Sequence, residues 1–429
     1  MFFKRFELKQ NNTNIKQEFV SGLTTFFAML YIIPVNATIM SKAGIPFDAL
    51  VTATALMTII ATLFSGLYSN TPVAMSVGMG LNAYFTFGLV LGMKIPWQTA
   101  LGVVFLSGIL YLLITLTPIR KWIIDSIELD TKRAVSAGIG AFIALIGLKE
   151  MGVVVSSKET LVALGNLGDS EVLFGIFSFG IALLLSVLRV KGALILSILI
   201  TSAIAWVSGF SALPKEFVSL RASISPIFFE LDIKSAFSLA FVPVIVTFLI
   251  TDIFDTIGTL VGVGLRANLF KDNDSLSLQK TMEVDAGATI LSGVVGVTST
   301  TSFIESAAGV EEGGRTGLSA VFTALLFILP LFFLPVFASI PSFSIYPVLV
   351  IVGSSMFSEL GKIDYSDNAI KYSTFFIVLM MPLTYSITNG LMIGAFVYTL
   401  VRIIEKRYEV FKSAMFFMAV LSVLLFGVL

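Results

Sequence analysis

The sequence predicts an all-α polytopic membrane protein of fourteen transmembrane segments, built as two inverted seven-segment repeats in which spans three and ten are short and broken. Three observations carry this expectation. The 429-residue chain is 56% hydrophobic and 13% charged, with 39 phenylalanines. Its apolar runs repeat at about 17 to 25 residues, enough to cross a hydrocarbon core of roughly 30 Å. One hydrophilic stretch, 211–232, divides the runs into two groups of seven. An odd number per half turns the second half upside down relative to the first, the arrangement of inverted-repeat transporters.

The spans fall near 18–41, 47–68, 75–92, 97–118, 131–150, 171–189 and 192–210, then near 233–263, 283–299, 302–312, 316–338, 344–358, 370–387 and 389–405. Basic residues test the count. Lys4, Arg5, Lys9 and Lys16 precede span one; Arg120, Lys121, Lys132 and Arg133 follow span four; Arg189 and Lys191 follow span six. In the second half Arg266, Lys271 and Lys280 follow span eight, Lys362 and Lys371 follow span twelve, and Arg402, Lys406, Arg407 and Lys412 follow span fourteen. With the N-terminus in the cytoplasm, all fall on the cytoplasmic side of an inner or plasma membrane, as the positive-inside rule asks. The apolar tail 413–429 reads either as a further short span or as an interfacial helix. Residues 1–17 are polar and mixed in charge, with no apolar stretch leading to a cleavage site, so no removable signal peptide is expected.

Composition also excludes chemistry. Without Cys there are no disulfides, thiolate metal sites or thiol catalysis. Without His there is no Ser-His-Asp triad and no ordinary neutral-pH proton relay. A net charge of zero gives no electrostatic footprint for nucleic acid.

Two spans are unusual. Residues 302–312 make a helix of about 16 Å, half the bilayer core. The counterpart in the first half is "SVGMGLNAYF", 76–85, where Gly78 and Gly80 stand beside Asn82. Interrupted segments at corresponding positions of two halves point to a transporter site, because irregular backbone at that depth must line a cavity.

Three polar groups lie within apolar spans. In "TDIFDTIGT", 251–259, Asp252, Asp255 and Thr259 fall at i, i+3 and i+7 and share a helical face. Carboxylates at mid-membrane cost on the order of 3 kcal/mol, so this face is expected to point into the protein; its bland alternative is local bonding to Thr251 or Thr256. In "TSFIESAAGVEEGGRTG", 301–317, the Ser302 and Glu305 spacing fits a capping box, in which Glu305 reaches back to its own helix start. That role coexists with ligand binding, since a half-helix N-terminus offers free donors and positive dipole. Glu311, Glu312 and Arg315 read as a solvated loop with local pairing. Asn82 donates and accepts at once, which suits a heterocycle and equally suits a tie between helices. Thr24, Thr25, Tyr31 and Asn36 form a weaker set, for which structural roles are expected.

The stretches "GLTTFFAMLYI", "VGMGLNAYFT", "FDTIGT" and "TSFIESAAGVEEGGRTG" resemble the signatures of the AzgA-like purine permeases, a branch of the nucleobase:cation symporters related to uracil and xanthine permeases. The resemblance runs in order along nearly the whole chain. It implies the fold of the uracil permeases, with spans one to four and eight to eleven as a core (1–118 and 233–338) and the rest as a gate (119–232 and 339–429). It implies a transporter rather than an enzyme, with no cofactor, metal or catalytic residue. By motif match Asp255 and Glu305 bind the base, with Asp252 and Asn82 also important. Uracil-type relatives carry a His where this chain has Thr259. Relatives usually place Ala-Pro before the glycine motif, where Ser76 and Val77 stand here, and Pro after the Asn of span one, where Ala37 stands.

Guanine, hypoxanthine and adenine are flat and carry ring donors beside acceptors. A carboxylate accepts two adjacent donors, and backbone amides at helix starts meet the acceptors. The expected site is therefore Glu305 and Asp255 on the polar edge, Asn82 with the backbone at Ser306 and Gly80 completing the pairing, and an aromatic face from Phe27, Phe26 or Tyr84. Asp252 or Asp255 is the expected proton carrier in an elevator-like import cycle. The expected partners are a purine base, a coupling cation (H+ ahead of Na+) and the lipid bilayer, as monomer or homodimer. The rivals are an anion transporter or channel of the same fold and a uracil/xanthine-type permease. An intramembrane aspartyl protease is disfavoured, because Asp252 and Asp255 lie on one helix.

Overall fold

The computed structural model describes residues 5–119, 122, 126–219, 222–267 and 276–426. Lys4, Arg120, Lys121 and Lys271 of the charge count lie outside them, as do the last three residues of the tail. Each expected span coincides with helical structure. The first half holds α1 (Ile15–Met29) and α2 (Ile32–Ser41) within span one, then α3 (Phe47–Phe64). The third span breaks into a strand, β1 (Met75–Val77), a single turn, α4 (Met79–Ala83), and a wide-turned stretch Tyr84–Gly92. After it come α5 (Trp97–Thr115), α6 (Leu129–Glu150), a hairpin of β2 (Val154–Ser157) and β3 (Leu161–Leu164), α7 (Ser170–Val187) and α8 (Ala193–Val207).

The second half holds α9 (Val242–Ala267), α10 (Leu276–Val295), β4 (Thr300–Ser302), α11 (Ser306–Glu311) and α12 (Gly317–Leu326), the last followed by two short turns within span eleven. It ends with α13 (Ser342–Phe357), α14 (Asn368–Leu383), α15 (Ile387–Ile404) and α16 (Ala414–Phe426). Among the described residues eight helical stretches are long and apolar enough to cross a membrane, and five shorter apolar ones accompany them. Span nine is apolar over most of its length but carries Lys280, Glu283 and Asp285, and span ten holds only the six residues of α11. The apolar tail is a 13-residue helix, α16, packed on α15.

Helices of the two halves interleave. α1 packs on α11 and α12, α5 on α9 and α10, and α3 on α2 and α12. Separately, α6 packs on α13 and α14, α13 on α7 and α8, and α14 on α15. In lipid no hydrophobic force drives helices together, so small residues that allow close backbone contact do much of the work. Gly140 of α6 and Gly353 of α13 meet reciprocally: a Cβ on either would sit 2.5 Å from the other's carbonyl oxygen. Gly66 and Gly317 repeat the device between the end of α3 and the start of α12.

Charges outside the central site also have structural work. Glu18 is fully buried in the first turn of α1, and its two oxygens accept the amides of Arg315 (2.9 Å) and Ser319 (3.0 Å), so one helix caps the free donors at the start of another, α12. Arg402 of α15 donates to Asp367 and Glu128, each at 2.7 Å, and joins the beginnings of α6 and α14 to the end of α15.

The glycine contact is directly testable. Gly353→Ala should cost about 1–3 kcal/mol through overpacking, read as a lower melting temperature in detergent, whereas Gly361→Ala, where a Cβ meets nothing within 4 Å, should leave it unchanged.

Candidate functional site

The two broken spans meet as an antiparallel ladder. Met75, Ser76 and Val77 pair with Ser302, Thr301 and Thr300. Two further bonds extend it, Gly78 N–H to Ser299 O and Phe303 N–H to Ala74 O, each 2.9 Å. The Ser306 hydroxyl accepts the Ala74 amide at 3.0 Å. Each strand then runs into a short helix, α4 or α11, so both helices begin beside the ladder.

This geometry corrects the capping-box reading. Residues 300–302 are held extended by pairing with β1, so the helix cannot start at Ser302; it starts at Ser306, and Glu305 is the residue before it, with no side-chain cap bond. The Glu305 carboxylate turns instead to Tyr31, whose hydroxyl donates to Oε1 at 2.6 Å. Tyr31 sits at the break between α1 and α2 and is buried. It belonged to the weaker polar set, and no signal within its own span marks it as the partner of a residue 274 positions away.

The two aspartates of α9 diverge. Asp255 is partly exposed, as Glu305 is, and the two interact electrostatically where α9 packs on α11. Asp252, one turn earlier, is buried against α10, where Thr289 donates to its Oδ2 at 2.9 Å. Thr259 is buried too. Asp285 of α10 escaped the sequence reading. It is fully buried, accepts from Tyr111 at 3.2 Å and from Thr256, and lies in electrostatic reach of Asp252.

Asn82 is a helix tie with an acceptor to spare. Its Nδ2 donates to Asn36 Oδ1 at 2.9 Å, and Asn36 Nδ2 donates to Thr54 at 2.8 Å, linking α4, α2 and α3. Its Oδ1 is buried without a hydrogen-bond partner. Gly80 lies in the single turn of α4 against α6, where a Cβ would come 2.6 Å from Ile139 Cγ2. Phe27 is 45% exposed, beside Phe26 and the chain at Gly192. Tyr84 is buried, with its hydroxyl on Thr388 and its ring 5.5 Å from Phe248. The structure thus gathers Glu305, Asp255, Ser306 and Tyr31 around the ladder, with Asn82 and Gly80 on the other short helix, whereas the contacts of Phe27 are with Phe26 and Gly192 and not with these residues. At the far end of α11, Glu312 pairs with Lys191 at 2.5 Å, and Arg315 Nη1 donates to the carbonyls of Val310 and Gly314.

This arrangement can present carboxylate acceptors, and first-turn amide donors at the start of α4, to one small polar molecule; the first-turn amides of α11, that of Ser306 among them, are instead spent on the carbonyls of Phe303, Ile304 and Glu305. Known proteins agree with a carrier of that kind. A permease family model matches residues 16–393. A guanine/hypoxanthine permease of Bacillus subtilis is 38% identical over 94% of this chain and 95% of the relative. An adenine permease of Escherichia coli is 34% identical over 99% of this chain and 95% of the relative. Among solved structures, the transmembrane domain of a cyanobacterial bicarbonate transporter superposes with a TM-score of 0.68 at 16% identity, covering 88% of this chain and 97% of that one, a likeness of fold alone. The chain belongs to the xanthine and uracil permease family, the nucleobase-ascorbate transporters, as its motifs indicated.

Proposed function

We propose that this permease imports purine nucleobases by cation symport, with protons ahead of sodium as the driving ion. The observation that carries the reading is the pair of partly exposed carboxylates, Glu305 and Asp255, beside the ladder from which both short helices start. A purine presents adjacent N–H donors on one edge and acceptors on another. Glu305 and Asp255 take the donors, while the first-turn amides of α4 and the spare Asn82 oxygen serve the remaining polar atoms. Relatives that transport guanine, hypoxanthine or adenine support the substrate class.

In this reading the N-terminus is cytoplasmic, and α1–α5 with α9–α12 form a core that slides against a gate of α6–α8 and α13–α16. Ser306, held on Ala74, keeps the two half-helices in register, and Gly80, tight against Ile139 of α6, sets one of them against the gate. Phe27, on the α1 face that meets Gly192, is the aromatic nearest the gate. An anion carrier of the same fold is disfavoured, since the carboxylates of Glu305, at the start of α11, and of Asp255, on α9 beside it, would repel its substrate.

A competition assay against radiolabelled guanine, with adenine, hypoxanthine, xanthine and uracil, tests the class: purines should compete and uracil should not. Asp255→Asn and Glu305→Gln should each weaken guanine binding at least about 10-fold, the worth of a charge-assisted hydrogen bond of about 1.5–3 kcal/mol, while inserting normally; wild-type affinity in either removes that residue from the site. Tyr31→Phe should raise KM about 5-fold at unchanged membrane abundance, because Glu305 loses the hydrogen bond that orients it, worth about 1 kcal/mol. An unchanged KM would make Tyr31 a packing residue only.

A further inference from the structure

Behind Glu305 and Asp255 lies a second pair of carboxylates that the binding of a base does not use. Asp252 on α9 and Asp285 on α10 are 1% and 0% exposed. Each has one oxygen engaged and one bare. Asp252 Oδ2 accepts from Thr289, and Asp285 Oδ2 accepts from Thr256 and from Tyr111 of α5. The Oδ1 atoms of both are buried without any hydrogen-bond partner. The other titratable groups facing them are Tyr111 and, one turn along α9, Asp255. From α10 and β4 they meet the hydroxyls of Thr289 and Thr301. Among the described residues no lysine or arginine is ion-paired with either acid.

Two ionised carboxylates in such surroundings would each cost several kcal/mol with no cation to repay it. A single proton removes the conflict, because neutralising either acid ends the repulsion between the two. We propose that Asp252 and Asp285 are the proton-binding site of this transporter, a carboxylate pair that holds one proton and carries it in step with the substrate. This rests on the reading of the protein as a cation-coupled purine carrier.

The pair is also wired to the substrate side. Thr256 bonds Thr301 of β4 at 2.9 Å, and Thr289 donates to the Thr300 carbonyl at 3.0 Å as well as to Asp252. A hydroxyl has one proton to give. Thr289 therefore serves either Asp252 or Thr300, whereas Thr256 can give its proton to Asp285 and accept one from Thr301. The charge on Asp252 decides which partner Thr289 serves, and β4 is the strand that leads to Glu305.

The full-length protein in proteoliposomes tests this. An inward gradient of one pH unit, about 1.4 kcal/mol per proton, should sustain up to ~10-fold guanine accumulation by wild type. Asp285→Asn should lose that accumulation yet keep exchange of labelled for unlabelled guanine, and Asp285→Glu should keep both. A readout free of purine is the infrared carbonyl band of a protonated carboxylic acid in the purified protein, expected in wild type and in Glu312→Gln and missing in both Asp252→Asn and Asp285→Asn. Wild-type accumulation by Asp285→Asn, accumulation that follows sodium and ignores pH, or a band untouched by both substitutions overturns the proposal. A band lost in both variants, in a protein that carries no purine, would leave the pair standing and overturn the substrate reading instead.

Discussion

The pairing of β1 with β4 is the constraint on which the rest of the structure depends. A chain that leaves helical form inside a membrane must satisfy its amides and carbonyls within the protein. Here each half interrupts a span, and each interruption supplies the partner for the other, from Met75–Ser302 through Val77–Thr300. The ladder is antiparallel, as inversion of one half requires, so the two short helices start from its opposite ends. The Ser306 hydroxyl, spent on the Ala74 amide, fixes α11 to the opposite strand.

Once the ladder is in place, the buried acids sort by the donors available to them. Glu18 finds two backbone amides at the start of α12 and serves as a cap. Glu305 finds a tyrosine hydroxyl and stays partly exposed. Asp252 and Asp285 find only hydroxyls, too few for all their oxygens, and each keeps one oxygen unpaired. The same residue type thus does different work at different depths, and what separates the cases is the number of donors and the access of solvent. Unpaired buried oxygens are costly, and their presence in two neighbouring acids is the ground on which a proton is proposed for this pair.

The apolar runs were legible because a bilayer demands length and hydrophobicity, and every expected span found its helix. Asp255, Asp252 and Glu305 were legible because acids inside such runs are rare. The strands were not: β1 and β4 have three residues each, too few for any periodicity, and only their meeting in space defines them. The pattern of Ser302 and Glu305 misled for the same reason, since a capping box is a local rule and the ladder is a long-range one that overrode it. Asp285 was hidden by its neighbours. Lys280 and Glu283 made it look like part of a polar span end, whereas the helix reaches back to Leu276 and leaves Asp285 near its middle. Tyr31 is one of 10 tyrosines, with nothing in its own stretch to single it out.

The proposed core and gate meet through packing and through charge. Inside each group, glycines bring backbones into direct contact, at Gly66 with Gly317 and at Gly140 with Gly353. Between the groups Gly80 lies tight against Ile139, the Tyr84 hydroxyl bonds Thr388, and two ion pairs join Lys42 with Glu150 at 3.4 Å and Lys191 with Glu312 at 2.5 Å. Lys42 and Glu150 end spans one and five, while Lys191 follows span six and Glu312 ends span ten, so alternation of the spans sets the two pairs at opposite faces. Exposed pairs of this sort are worth about 0–1 kcal/mol each. Those pairs weigh little against the packing of Gly80 on Ile139, and it is that contact, more than the charges, that the proposed movement of core against gate has to break.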